Sequence, residues 1–219
     1  MRETEADPAI RAVVLTGAGE AAFCAGADLK EVSAGGGAAL WTEGGGFAGF
    51  VFAPRTKLWI AAVNGAALAG GTEIALACDL VVAAETARFG VPEVKRSLVA
   101  AGGGALLLPA RVPRNVAMEM LLTGDPIDAR RAAEVGLVNR VTPEGGAVDG
   151  ALALAATIAA NGPLALAATK AVVLGSADWT TAEGWQRQGE LVAPVFASED
   201  AREGAAAFAE KRRPVWRGR

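Results

Sequence analysis

The sequence predicts an α/β fold, and three observations carry that prediction. Ala12–Thr16, Leu58–Val63 and Leu80–Ala84 are short continuous apolar runs, as suits parallel strands buried on both faces of a sheet. Helical segments open between them, near Gly26 and near Gly70, so that strands and helices alternate. The 219 residues are 52% hydrophobic but only 5% aromatic, which suits one domain, or one with an appendage, whose core is built from Ala, Val and Leu.

In chain order, Ala12–Thr16 is stopped by Gly17-Ala18-Gly19, and a first helix is expected within Gly26-Ala27-Asp28-Leu29-Lys30-Glu31. Residues 33–50 mix glycines with Leu40, Trp41, Phe47 and Phe50 and read as a mobile apolar lid or wall, the alternative being a poorly ordered surface loop. Leu58–Val63 runs through small residues into Gly70-Gly71, where the second helix opens. Beyond Leu80–Ala84, Pro113 to Leu122 is a helix with Gly124 as its stop signal, and Asp128 caps another that ends at Gly136. Residues 137–141 form a short strand or extended link.

From about residue 145 the character changes. Val148 to Ala160 and Leu164 to Leu174 read as helices, and Ser198-Glu199-Asp200 caps a last one running through Lys211, acids at its start and bases at its end. These alanine-rich helices carry little bulk, so packing on a neighbouring subunit is a natural use for them. Residues 1–145 are thus expected to form the core and 146–219 a C-terminal helical region.

No histidine and no tyrosine occur, which excludes Ser-His-Asp and Cys-His catalysis, histidine metal sites and tyrosine acids, and leaves proton transfer to carboxylates, lysines or cysteines. Cys24 and Cys78 give neither a disulfide framework nor a metal-ligand spacing, so no metal and a reducing cytoplasm are expected. The charged amino terminus lacks the apolar core of a signal peptide, and no stretch reads as a membrane span. A net charge of -3 gives no general attraction to nucleic acid, although residues 211–219 are locally basic and suit a local anion.

The chemistry concentrates in residues 61–79. Gly70 and Gly71 have no side chains to shield their amides, and the first amides of a helix are unpaired and lie at the positive end of its dipole. Glu73 follows Gly70 by three residues and projects from nearly the same side. Close packing of helix on strand, with Glu73 as a first-turn acid, is the alternative. Phe23-Cys24-Ala25-Gly26-Ala27-Asp28 makes a second small-residue turn that exposes the Ala27 amide, and two such donors make an oxyanion hole. Phe89-Gly90-Val91-Pro92-Glu93 adds a second carboxylate, which a salt bridge would also explain. Gly102-Gly103-Gly104 and Phe208-Ala209-Glu210-Lys211 complete the set, glycine counting only beside other residues because the chain holds 28.

Together and in order, these stretches and the Thr123-Gly124 to Gly136-Leu137-Val138-Asn139 segment resemble the crotonase superfamily, most closely its enoyl-CoA hydratases, over essentially the whole chain. The resemblance implies an α/β fold with a ClpP/crotonase-like ββα spiral core and a C-terminal helical oligomerisation region. It implies that the Ala27 and Gly70 amides hold the carbonyl oxygen of a thioester as it becomes enolate-like. Glu73 and Glu93 would bind one water, one activating it for attack on the β-carbon and the other, usually Glu93, returning a proton to the α-carbon. Coenzyme A is then part of the substrate, with no separate cofactor. Its adenine would lie along Ala25 to Lys30 with Asp28 and Leu29 in contact and Lys30 reaching the nucleotide, while Phe208 and Lys211 of an adjacent subunit complete the adenine and 3′-phosphate pocket of a trimer or dimer of trimers.

The implied activity is hydration of a trans-2-enoyl-CoA in fatty acid β-oxidation or related acyl-CoA catabolism, without metal, nucleic-acid or membrane partners. Enoyl-CoA isomerisation, other thioester chemistry of the superfamily and non-catalytic acyl-CoA binding are the alternatives. Two departures stand out. The family's first strands and a helix normally precede the segment matching Asp7–Arg11 and are expected to be absent here. Ala100-Ala101 stands where many hydratases carry Pro-Gly, which adds a methyl close to the water site.

Overall fold

The computed structural model describes all residues, 1–219, in two compact units: residues 12–155, and residues 1–11 together with 156–219. From the amino terminus the elements are α1 (Arg2–Ala6), β1 (Ala12–Thr16), β2 (Ala22–Cys24), α2 (Leu29–Ser33), β3 (Trp41–Thr42), β4 (Gly46–Phe47), β5 (Leu58–Val63), β6 (Ala66–Leu68) and α3 (Gly70–Ala77). Then follow β7 (Leu80–Ala84), β8 (Arg88–Gly90), α4 (Gly104–Arg111), α5 (Arg114–Thr123), β9 (Ile127–Asp128), α6 (Ala129–Glu134) and β10 (Arg140–Thr142). The helices α7 (Ala147–Ala159), α8 (Pro163–Gly175), α9 (Thr181–Phe196) and α10 (Glu199–Ala209) end the chain.

The unit spanning 12–155 is built on a repeated strand-strand-helix pattern. One sheet has the order β1-β5-β7-β10, parallel throughout. The second has the order β2-β6-β8-β9, with only β9 antiparallel. The β1-β2, β5-β6 and β7-β8 passes each give one strand to each sheet before a helix returns the chain, which makes a spiral, and the last pass is reversed, with α6 between β9 and β10. The three apolar runs are β1, β5 and β7 with the bounds read from sequence. Ile60 to Val63 and Val82 to Ala84 are fully buried, as central strands should be. β1 is only half-buried, because it ends its sheet.

α3 is anchored at both ends. The Thr72 hydroxyl, fully buried, bonds the Ala67 and Gly90 carbonyls at 2.7 and 2.8 Å and accepts the Gly90 N–H at 3.1 Å, tying the helix to β6 and β8. At the other end Arg111 donates to the Leu76, Cys78 and Asp79 carbonyls and Arg55 to Ala77, so two guanidiniums satisfy the orphan carbonyls of the last turn. Cys78 is fully buried beneath them, an inert position for a thiol.

Several expectations need correction. The first helix begins at Leu29, inside the expected stretch 26–31, with the Asp28 carboxylate capping it by accepting the Lys30 N–H at 2.8 Å, but Ala27 precedes that cap, so its amide is not one of the helix's first. Residues 33–50 carry a 3₁₀ turn over Gly36–Leu40 and then the β3-β4 hairpin, with Phe47 and Phe50 buried. α4 and α9 escape the sequence reading altogether. α10 stops at Ala209 with no base in its last turn, and Lys211 lies beyond it at φ 54°.

In the other unit, α8 and α9 bury no residue completely. Arg212, Arg217 and Arg219 of the basic tail are paired. Arg212 grips both Glu203 oxygens at 2.6 and 2.9 Å, Arg219 reaches Glu199 at 3.1 Å, and Asp200 accepts the Arg217 and Gly218 amides. The Arg212 guanidinium and the Val215 N–H hold the Glu203 carboxyl down at about 2. No single helix is long and apolar enough to cross a membrane.

Candidate active site

The site is built where α3 starts. Ala69, its N-cap, has φ 51° and ψ -125°, a conformation that L side chains rarely adopt. Its N–H donates to the Gly90 carbonyl at 2.9 Å, and its carbonyl accepts the Thr72 and Glu73 amides at 2.9 and 3.2 Å. The next amide, that of Gly70, has no acceptor within the helix and makes no other bond in the chain. A Cβ at Gly70 would overlap the Phe47 ring, and one at Gly71 would overlap the Cys24 carbonyl. The close-packing reading of the glycine pair therefore holds, and the same packing leaves the Gly70 amide without a partner in the chain.

The Ala25-Gly26-Ala27 turn lies alongside. A Cβ built on Gly26 would come within 3.2 Å of the Gly70 nitrogen, and the Ala27 amide also donates to nothing in the chain. Ala27 and Gly70 both line one cavity of about 340 Å³. Its apolar lining comes from the 33–50 segment and the stretch after Glu93: Leu40, Trp41, Phe47, Leu98 and Val99. Trp41 and Phe47 meet edge-on, 6.0 Å between ring centres, which stiffens that wall.

Glu73 and Glu93 line the same cavity. Glu73 is 3% exposed, and its Oε1 accepts the Gly104 N–H at 2.9 Å. Its carboxyl lies so close to Gly102 that a Cβ there would overlap Oε2. The glycine triplet, whose role was unassigned from sequence, is thus the seat of Glu73. Burial pushes the Glu73 carboxyl above its ordinary value, the nearby charge of Glu93 adds to this, and the Gly104 and Gly102 amides oppose it. Glu93 is also pushed up by burial, against its own amide and Arg96. Its Oε2 is buried with no hydrogen-bond partner in the chain, an acceptor that a ligand in the cavity can satisfy.

The structure brings Ala27, Gly70, Glu73 and Glu93 together, with Ala25 and Leu29 at the same cavity. Ala101 lines it too. Asp28 and Lys30 are not in the lining: Asp28 is used as a helix cap and Lys30 is exposed. Phe208 and Lys211 belong to the other unit and line nothing here, Phe208 being 88% exposed. Sequence reading missed Arg96, the only basic residue of the lining. Its signal was available, because Pro92–Arg96 is a 3₁₀ turn, in which residues three apart eclipse, and Arg96 follows Glu93 by three.

The sequence profile of the family described as enoyl-CoA hydratase/isomerase matches residues 1–219. A carnitinyl-CoA dehydratase from Proteus mirabilis is 42% identical over 218 residues, covering 97% of this chain and 84% of its own length. Among solved structures, an enoyl-CoA hydratase from Mycobacterium tuberculosis superposes with a TM-score of 0.95 at 52% identity, covering 99% of this chain and 84% of that one. A carnitinyl-CoA hydratase from Mycobacterium avium gives 0.73 at 46% identity, covering 100% and 85%.

Proposed function

This chain belongs to the enoyl-CoA hydratase/isomerase family and has the crotonase fold, and we propose that it is a lyase adding water across the double bond of a trans-2-enoyl-CoA. The single observation that carries this reading is the placement of two carboxyls and two undonated amides in one small cavity. In the reaction, a water oxygen forms a bond to the β-carbon while its proton passes to Glu73. The π electrons move onto the thioester oxygen, where the Ala27 and Gly70 amides stabilise the growing negative charge. The enolate then collapses, and the α-carbon takes a proton from Glu93. For this sequence the pair must begin with one proton between them, and close carboxylates titrate as such a coupled unit. Burial raises both carboxyls, and the charge of Glu93 adds to the rise at Glu73, which favours a proton held between them.

Isomerisation needs one principal carboxyl, so two in the cavity favour hydration. The same reading lays coenzyme A along Ala25–Lys30, with Lys30 reaching from the surface, and assigns Phe208 and Lys211 to the nucleotide pocket of a neighbouring copy in a trimer or dimer of trimers. The chain would then act in acyl-CoA catabolism in the cytoplasm. The test is turnover by the purified chain of enoyl-CoAs of graded acyl length. Hydration of any member, lost in E73Q and E93Q with thioester binding retained, supports the proposal. Binding of all members without turnover favours a non-catalytic acyl-CoA-binding subunit.

A further inference from the structure

We infer that Arg96 sets the charge selectivity of the acyl pocket, so that the chain acts on enoyl thioesters with uncharged or anionic acyl termini and discriminates against those bearing a quaternary ammonium. This deepens the hydratase reading and rests on the cavity being the thioester site. Three ionisable residues line the cavity: Glu73, Glu93 and Arg96. Two carboxyls sharing one proton leave one negative charge, which the guanidinium balances. A cation entering therefore meets a lining near neutrality whose negative member is already committed to Gly104 and to the reacting water. The remaining wall, Leu40, Trp41, Leu98 and Val99, is apolar.

Position makes the charge effective. On the 3₁₀ turn Pro92–Arg96, Arg96 projects from the same side as Glu93. Ser97 ends the turn at φ 58°, and the Leu98 N–H returns to the Glu93 carbonyl at 3.1 Å, so the turn is closed on both sides of Arg96. The side chain has no carboxylate partner; its one bond in the chain is a 3.5 Å contact from Nη1 to the Pro92 carbonyl. The Arg96 guanidinium acts on Glu93 through its field without making an ion pair, and in an otherwise apolar lining it disfavours a cationic acyl terminus and attracts a carboxylate one.

The experiment compares kcat/KM for crotonyl-CoA, an enoyl-CoA ending in trimethylammonium and one ending in carboxylate, in the wild type, R96L, R96K and R96E. Only ratios between substrates are read, so the active fraction of each preparation cancels. R96L is expected to raise the ammonium-to-neutral ratio and lower the carboxylate-to-neutral ratio by roughly 3- to 10-fold each, the size of one partly screened charge at close range. R96E should shift both further and R96K restore them. In the wild type, salt should compress both ratios without any substitution. Ratios that stay the same in R96L and R96E, with crotonyl-CoA still hydrated, overturn the assignment and leave the hydratase reading standing. Absence of turnover by the wild type overturns that reading instead, and dissociation constants of saturated acyl-CoAs with the same three termini then test Arg96 by the same ratios.

Discussion

Glu73 and Glu93 face one cavity but are held differently: Glu73 Oε1 accepts the Gly104 N–H at 2.9 Å, whereas Glu93 keeps a buried Oε2 with no partner in the chain. The fixed carboxyl suits positioning of the attacking water, and the unsatisfied one suits a group that exchanges its proton with a ligand. Replacing either by Gln keeps its size and removes its proton chemistry. Hydration should fall by about 10²- to 10⁴-fold in E73Q and in E93Q, with acyl-CoA affinity within a few-fold of the wild type. Initial rates and calorimetric titration check the two halves separately.

Burial raises both carboxyls above the ordinary value of 4.5, which fixes the sign of two pH effects. The acid limb of kcat/KM should have its midpoint above the ordinary carboxyl range, because the pair must lose one proton to act. For stability, the folded chain binds more protons than the unfolded one between 4.5 and the raised value, so the Glu73 contribution falls as pH rises through that window. In E73Q no charge is buried and the amide oxygen can still accept the Gly104 N–H. The Tm of E73Q relative to the wild type should therefore climb with pH across the window, and a difference independent of pH would contradict this.

Gly102 has no room for a methyl, since a Cβ there would overlap the Glu73 carboxyl. G102A is expected to push that carboxyl off the Gly104 amide and to lower hydration by about 10²-fold, the scale of losing a well-placed catalytic group. The stability cost of the crowding should be about 1–3 kcal/mol. Rates and denaturant midpoints together distinguish a displaced catalytic group from a general loss of fold.

The Thr72 hydroxyl serves three backbone groups in a fully buried position. T72V keeps the shape but leaves the Gly90 N–H without its partner, which should cost about 1–3 kcal/mol in chemical unfolding. The loss should be smaller in T72S, which retains the hydroxyl.

What could be read from the sequence follows burial. β5 and β7 are shielded on both faces, so nearly every residue is apolar and their ends are visible as the point where polarity returns. Gly70, Glu73 and Ala27 were readable because helix starts and small-residue turns are local features. α4 and α9 were not. α4 follows three glycines and carries Pro109, and α9 contains Gly184, Gly189 and Pro194, so local breakers mask helices that the folded chain keeps. The seat of Glu73 on Gly102 and Gly104 joins positions about thirty residues apart, and no local pattern announces such a meeting. Phe47 was noticed as part of an apolar segment, but its contact with Gly70 depends on how the hairpin folds back.

The backbone of Ala69, with its left-handed φ of 51°, turns the following amide toward the cavity and is secured by Gly90, Thr72 and Glu73. A residue held so far from its comfortable geometry costs the folded state roughly 1–3 kcal/mol, and that cost is present before any ligand arrives. The donor is consequently aimed in advance. In the proposed reaction nothing would need to swing into place while charge migrates to the thioester oxygen, so the resting fold would already have absorbed a reorganisation that a softer loop imposes on every turnover.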